Sequence, residues 1–206
     1  MRKEEPKDLW ILERERLASG ISCICGVDEA GRGPLAGPVY AAAVILPPEL
    51  VIDGLNDSKK LSDAKRRSLF PVICEKALAY GIGFATEKEI DEINILQATF
   101  LAMRRALQEL KIRPELALID GNRNADFGIP SETIIQGDGR SANIAAASVL
   151  AKVSRDREME RLDSVYPQYG FAVHKGYGTK AHYEALRQYG PCEIHRRTFL
   201  RSFYEK

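Results

Sequence analysis

Three times along this chain a short apolar run delivers an acid. Val27 precedes Asp28, Leu116-Ala117-Leu118-Ile119 precedes Asp120, and Thr133-Ile134-Ile135 is followed within three residues by Asp138. Runs this short and this apolar predict buried strands of an α/β sheet, and the carboxyl ends of such strands are where sites form. Taken singly, Asp120 reads equally as a turn residue before Gly121 and Asp138 as a helix cap. The repetition favours a shared site. The first instance is the densest. In Gly26-Val27-Asp28-Glu29-Ala30-Gly31-Arg32-Gly33-Pro34-Leu35-Ala36-Gly37-Pro38, two adjacent carboxylates run into a glycine loop. Such carboxylates at the edge of a core repel each other unless a cation lies between them, so a divalent metal is expected. Glycines leave backbone N–H groups open to close approach by phosphate or sugar. Adjacent strand residues point to opposite faces, so Asp28 and Glu29 serve one site only if the strand ends there. Ala30-Gly31 supplies that ending.

The rest of the chain alternates helical and strand patterns around these runs. Helical spacing predicts an N-terminal helix over residues 7–18, closed by Ser19-Gly20, before strands over 21–28 and 39–46. Ser62 is expected to cap a helix over 65–80. A strand over 83–85 follows, then helices over 88–96 and 98–110 with Ile90, Ile93, Leu96, Phe100, Leu101, Met103 and Leu107 as core. The run Ser141-Ala142-Asn143-Ile144-Ala145-Ala146-Ala147-Ser148-Val149-Leu150-Ala151-Lys152 predicts a helix packed closely on the sheet, because only small side chains cover it. Its charged continuation over 154–162 is expected to emerge toward solvent. Asp156 lies 18 residues after Asp138, roughly 27 Å away if helix fills the span, so it is left out of the site as a surface or structural residue. A last helix is expected over 181–189, stopped by Gly190-Pro191.

Composition narrows the class. With 206 residues, 45% hydrophobic and 29% charged, the chain suits one α/β domain with an appended helical end. No run approaches the length of a membrane span, and the charged N-terminus lacks a leader pattern, so a cytoplasmic protein is expected. The four cysteines show no metal spacing and read as buried free thiols. Net charge is only +1, but residues 171–206 hold seven Lys/Arg against three Glu, while residues 21–170 carry 18 Lys/Arg against 21 Asp/Glu. An acidic body with a basic end suits a metal site beside a phosphate-binding surface. Tyr177, between Gly176 and Gly178 and flanked by Lys175 and Lys180, is expected to be exposed and able to stack on a nucleotide. Asp57-Ser58-Lys59-Lys60 reads first as a solvated approach to a helix and second as a phosphate contact. His174, His182 and His195 match no zinc or triad spacing and read as structural residues or phosphate contacts.

Together these motifs resemble the type 2 ribonucleases H, specifically bacterial ribonuclease HII. The resemblance covers residues 21–199. It includes the Gly26 to Pro34 motif, Asp57-Ser58-Lys59-Lys60-Leu61, Asp120-Gly121-Asn122, Gly137-Asp138 and Ala145-Ala146-Ala147-Ser148-Val149-Leu150-Ala151-Lys152-Val153-Ser154-Arg155-Asp156. It ends with His174-Lys175-Gly176-Tyr177-Gly178-Thr179-Lys180 and Arg196-Arg197-Thr198-Phe199. Any one motif is weak, and all in this order are specific. The resemblance implies an RNase H-like α/β fold: a mixed five-stranded sheet flanked by helices, with a helical C-terminal portion. Residues 1–20 would form an N-terminal helical extension and 21–206 the catalytic domain.

It implies a monomeric endonuclease that cuts RNA in RNA–DNA hybrids and incises 5′ to single ribonucleotides in duplex DNA. Asp28, Glu29, Asp120 and Asp138 would hold Mg²⁺ or Mn²⁺. Gly31, Arg32 and Gly33 would read the ribose 2′-hydroxyl with Tyr177, and Ser58, Lys59, Lys175 and Lys180 would contact substrate. Two metals about 3.5–4 Å apart suffice for phosphodiester hydrolysis without a protein nucleophile. One departure is Gln136, where many relatives carry a lysine before the Gly-Asp pair. The rival readings are a related metal-dependent nuclease or phosphatase of other substrate choice, and a binding module that has lost catalysis.

Overall fold

The computed structural model describes residues 8–201 apart from Asp57, with no side-chain description for Lys59. Residue 7, where the first helix is expected to start, and the Asp57 and Lys59 side chains of the polar loop lie outside the described residues; residues 8–10 are described and not helical, and the helix begins at Ile11. Five strands, β1 (Ile24–Ala30), β2 (Val39–Ile45), β3 (Ala79–Ala85), β4 (Leu116–Asp120) and β5 (Ser131–Ile134), form one sheet in the order β3-β2-β1-β4-β5. β1 pairs antiparallel with β2 and parallel with β4, and β4 pairs parallel with β5. The mixed five-stranded sheet expected from the sequence is present, with β1 at its centre.

Helices cover both faces. On one, α3 (Glu87–Gln108) packs Ile90, Phe100 and Met103 against Cys25, Val27, Ala41 and Ile119. On the other, α2 (Asp63–Lys76) and α4 (Ala142–Val165) pack against Ala42 and Val44. The alternation of strand side chains follows from this layering: Cys25 and Val27 face α3, while Ile24 and Leu118 meet Ile144 of α4. Gly26 shows why α4 must be built of small residues. A Cβ there would lie 2.2 Å from the backbone of Asn143 and Ile144, so strand and helix touch backbone to backbone.

α1 (Ile11–Ala18) docks through Leu12 beside Ile24 and Ile144. Its buried Glu13 accepts from Ser141 Oγ at 2.5 Å and from the backbone N–H of Asn143 at 3.2 Å. A carboxylate at the N-terminus of α4 also complements the positive end of that helix dipole.

Several boundaries differ from those expected. α2 ends at Lys76, capped at its start by Ser62, whose Oγ accepts from Lys65 N at 3.2 Å. Residues 79 and 80 belong to β3 because they pair with Ile45 and Val44, a tertiary contact that local spacing does not carry. The helix pair expected over 88–110 is one element with a kink at Asn94 (φ 66°), whose Oδ1 accepts from Leu96 N and Gln97 N. That carbonyl recaps the second half of the helix. Ile93, next to the kink, is exposed rather than core.

The second half of α4 emerges toward solvent only in part, as at Arg157, Arg161 and Val165. Arg155, Asp156, Met159 and Leu162 are buried because the C-terminal portion, with α5 (Phe171–His174) and α6 (Lys180–Tyr189), wraps it through Phe171, Leu186 and Leu200. Asp156 is therefore structural, not a surface residue, and pairs with Lys152 at 2.6 Å. No helix among the described residues is long and apolar enough to cross a membrane.

Candidate metal centre and its substrate-facing loop

The sheet register builds the acid cluster. Val27 lies beside Ile119 on the neighbouring parallel strand, so the next residue on each strand is an acid, Asp28 and Asp120. β5 pairs as far as Asp120↔Ile134. The chain then turns back at Gln136 (φ 55°) into a short 3-10 turn, Gly137–Gly139, which carries Asp138 over the same edge. Gly137 N donates to Asp120 Oδ1 at 2.6 Å. A Cβ on Gly137 would come within 2.6 Å of the Ile144 side chain, so this turn requires glycine. Asp138 does not cap α4, since Ser141 does, accepting from Ile144 N at 3.1 Å.

As a result, one carboxylate oxygen from each of Asp28, Asp120 and Asp138 lies within 4.8 Å of the others, with Asp28 and Asp138 buried. Three hard oxygen donors converging in this way fit a divalent cation of the Mg²⁺ or Mn²⁺ type, and no histidine or cysteine intrudes on the group. Glu29 stands outside it. The strand does not end at Asp28 but continues through Ala30, pairing Glu29 with Ala41 and Ala30 with Tyr40. Strand alternation alone would set Glu29 on the opposite face from Asp28. It nonetheless lines the same cleft, and its Oε1 lies 3.4 Å from Arg32 Nη1.

That cleft has a volume of about 250 Å³ and joins the acids Asp28 and Asp120 to the Gly31-Arg32-Gly33 loop, Ser58 and Tyr177. Tyr177 is 46% exposed, and its ring lies 3.6 Å from where a Cβ of Gly33 would be. Two expected substrate residues sit elsewhere. Lys175 Nζ is held by Glu160 at 2.7 Å and by the Ala172 carbonyl. Lys180 is 91% exposed, with Glu184 at 3.9 Å. Neither lines the cleft.

Four lining residues were not anticipated: Arg66, Ser148, Lys152 and Arg155. A signal for three of them was present, since positions 148, 152 and 155 fall on one face of α4, whose first half, from Ala142 to Val153, is otherwise nearly all small or apolar.

Arg155 and Arg196 shape the loop from beneath. Both are buried, and neither forms an ion pair among the described residues; their partners are carbonyls. Arg155 donates to Pro38 O, Lys175 O and Ala36 O, and Arg196 to Gly37 O, Arg32 O and Gly31 O at 2.9, 2.9 and 2.6 Å. Gly31 (φ +101°) has no room for a side chain, because its Cβ would fall 2.0 Å from Arg155 Nε. Burial pulls Arg155 down to about 10. Burial and the neighbouring Arg155 charge pull Arg196 to about 9. Both remain cationic at neutral pH and place positive charge behind a loop suited to meet phosphates.

The histidines form a relay that fixes Tyr177. His182 Nδ1 donates to the Tyr177 carbonyl at 2.9 Å, which leaves its Nε2 as the acceptor for His195 Nε2–H at 3.0 Å. His195 Nδ1 then accepts from Cys192 N. These tautomers follow from the donors and acceptors available, and they require both rings to be neutral. Burial pushes His182 down and, with the neighbouring His182, pushes His195 to about 4. Unfolding restores an ordinary histidine value near 6.5, so the unfolded chain binds more protons once the pH drops below it. The expected result is a loss of about 3 kcal/mol of stability between roughly pH 6.5 and pH 4 from His195. Denaturant unfolding across this range should show a shallower decline for His195→Gln than for the unsubstituted chain; parallel curves would mean that His195 is not held neutral.

The family described as Ribonuclease HII matches residues 25–205. A ribonuclease HII from Caldicellulosiruptor bescii is 52% identical over 98% of this chain and 98% of its own, and one from Vibrio parahaemolyticus is 58% identical over 87% and 85%. The crystal structure of ribonuclease H2 from Pyrococcus horikoshii OT3 superimposes with a TM-score of 0.69 at 31% identity, covering 86% of this chain and 93% of that one. With a family match over most of its length, this chain belongs to the ribonuclease HII family.

Proposed function

We propose that this ribonuclease H cuts the RNA strand of RNA–DNA hybrids and incises 5′ to single ribonucleotides in duplex DNA, leaving 5′-phosphate and 3′-hydroxyl ends. The observation that carries this reading is the convergence of Asp28, Asp120 and Asp138, of which Asp28 and Asp120 line a cleft shared with the Gly31-Arg32-Gly33 loop and Tyr177. One region suits cutting and the other suits choosing. We assign Asp28, Asp120 and Asp138 as holders of Mg²⁺ or Mn²⁺, with Glu29 as an outer acid of the same site. Bound there, divalent ions activate water and neutralise charge on the phosphoryl oxygens.

The chain's own residues position the strand. Gly31 to Gly33 offer backbone groups to the ribose 2′-hydroxyl, which DNA lacks. A site built around that hydroxyl leaves polar groups unpaired when it is missing, a difference able to reach about 10⁴-fold in rate. Ser58 lines the same wall and Lys59 follows it in the chain, and both are assigned to substrate contact. Lys175 supports the loop through its carbonyl, which accepts from Arg155, and Lys180 meets flanking phosphates from the surface. We also propose that the protein acts as a monomer. The unpaired cysteines suit a reducing cytoplasm. Residues 1–20 are taken as an extension of the catalytic domain, 21–206.

The decisive assay compares a duplex carrying one ribonucleotide with an all-DNA duplex. Cleavage of both at similar rates would favour a nuclease of other substrate choice, and cleavage of neither with Mn²⁺ would favour a binding module. Tyr177→Ala is expected to lower kcat/KM at the lone ribonucleotide by roughly 10- to 100-fold, the scale of a single base–aromatic stack. An unchanged rate would make Tyr177 a packing residue.

A further inference from the structure

We propose that Lys152 and Arg66 form a phosphate-binding pair in the wall of the cleft, gripping the nucleic-acid backbone between the acid cluster and the Gly31-Arg32-Gly33 loop. The proposal rests on the nuclease reading above and adds two residues to it.

Their position follows from how α4 lies on β1. Gly26 touches α4 at Asn143, and Gly31 touches it at Arg155. Five residues of extended chain at about 3.3 Å and twelve of helix at about 1.5 Å cover nearly the same distance, so the two elements run side by side in the same sense. On that scale Ser148 stands beside Asp28, and Lys152 stands between the acids and the glycine loop. Ser148, Lys152 and Arg155 all line the cleft, which confirms that this face of α4 looks into it. A strand whose ribose sits at the loop and whose cut bond sits at the acids must carry a phosphodiester past Lys152.

The local chemistry suits that role. Lys152 keeps 28% of its side chain exposed, and its Nζ is held at 2.6 Å by Asp156, which is itself almost fully buried. The carboxylate fixes the ammonium and uses one of its three donors, leaving the others for an incoming anion. Arg66 reaches the cleft from α2, which packs against α4. Its Nη1 donates to Ser58 O at 2.8 Å and to Leu61 O, holding the turn that carries Lys59; its Nη2 lies 3.7 Å from Asp63 Oδ1, and its Nε is buried with no hydrogen-bond partner among the described residues. A buried donor left without a partner is costly, and a phosphate oxygen in the cleft would supply one. Arg66 and Lys152 thus answer the acids with positive charge where the substrate backbone passes.

The test is the salt dependence of binding to a duplex with one ribonucleotide, measured without metal between about 50 and 200 mM salt. Every phosphate that the protein no longer neutralises lowers the log–log slope by about 0.9. Lys152→Met is expected to weaken binding by about tenfold and to reduce the slope by about one, and Lys152→Arg is expected to preserve the slope. Arg66→Met should reduce the slope as well.

Lys152→Met strands the Asp156 carboxylate, so its fold can suffer. In Lys152→Met with Asp156→Asn both charges are gone; thermal stability should return toward that of the unsubstituted chain while the slope stays low. Recovery of both stability and slope in that double variant would overturn the proposal and make Lys152 a structural partner of Asp156. If the unsubstituted enzyme cleaves the ribonucleotide duplex and the all-DNA duplex alike, the substrate reading fails. The slope would still report whether Lys152 meets phosphate.

Discussion

Asp28→Asn should reduce divalent-metal-dependent cleavage of a ribonucleotide-containing duplex by about 10³-fold or more, the scale on which a site suffers when a group stabilising transition-state charge is removed. Asp28 is the pivot of the cluster: it sits on the central strand, it is buried, and its oxygen lies within 4.8 Å of those of Asp120 and Asp138. Its Oδ1 also accepts from Glu29 N at 2.7 Å, which fixes the carboxylate against the strand backbone. Asparagine keeps the shape and one oxygen but removes the charge that a hard cation requires. A second readout does not depend on turnover. A ligand that binds only the folded chain raises its stability by about 2.7 kcal/mol at a hundred times its Kd. Thermal unfolding of the unsubstituted chain should therefore shift upward with Mn²⁺, and that of Asp28→Asn should barely move. Undiminished cleavage, or an equal Mn²⁺ shift in both proteins, would remove Asp28 from the metal centre.

Asp28, Asp120 and Asp138 were legible in the sequence because each follows a short apolar run, and burial of such a run is written in its composition. Their convergence was not written there. It depends on the parallel register that places Val27 beside Ile119, and on a turn at Gly137 with no room for a side chain. Glu29 shows the limit of motif reading. Beside Asp28 in a strand that runs on to Ala30, it lies outside the three-acid cluster and yet lines the same cleft. The placement of residues 79 and 80 in β3, and the burial of Arg155, Asp156, Met159 and Leu162, both arise from partners far along the chain. Local periodicity carries no trace of those partners. The polar positions 148, 152 and 155 were visible as a stripe on a small-residue helix, but a stripe does not say whether it faces solvent or a cleft. The carbonyl-binding roles of Arg155 and Arg196 leave no mark at all, since a backbone oxygen is the same in every sequence.

Arg196→Met is the substitution expected to disturb selection more than cutting. Met matches the length and apolar stem of arginine but has no donors. The carbonyls of Gly31, Arg32 and Gly37 then lose their guanidinium. Gly31 and Arg32 can turn to water, whereas Gly37 is buried. A buried acceptor stranded without a donor costs about 1–3 kcal/mol, so a stability loss of about 3 kcal/mol is expected once the lost packing over Phe199 is added. Lysine should restore little, because one ammonium cannot span three carbonyls that a planar fork reaches together. The functional consequence follows from where those carbonyls are. With Gly31 and Arg32 released, the backbone groups proposed to meet the 2′-hydroxyl lose their fixed direction, while the acids on β1 and β4 keep theirs. Cleavage at a single ribonucleotide should therefore fall by at least tenfold more than cleavage of a continuous hybrid, where many ribose contacts compensate for one poorly read site. The ratio of the two rates, measured at a temperature where the variant remains folded, decides the matter. If both rates decline together, Arg196 supports the fold as a whole; if only the single-ribonucleotide rate collapses, its guanidinium holds the reading loop in shape.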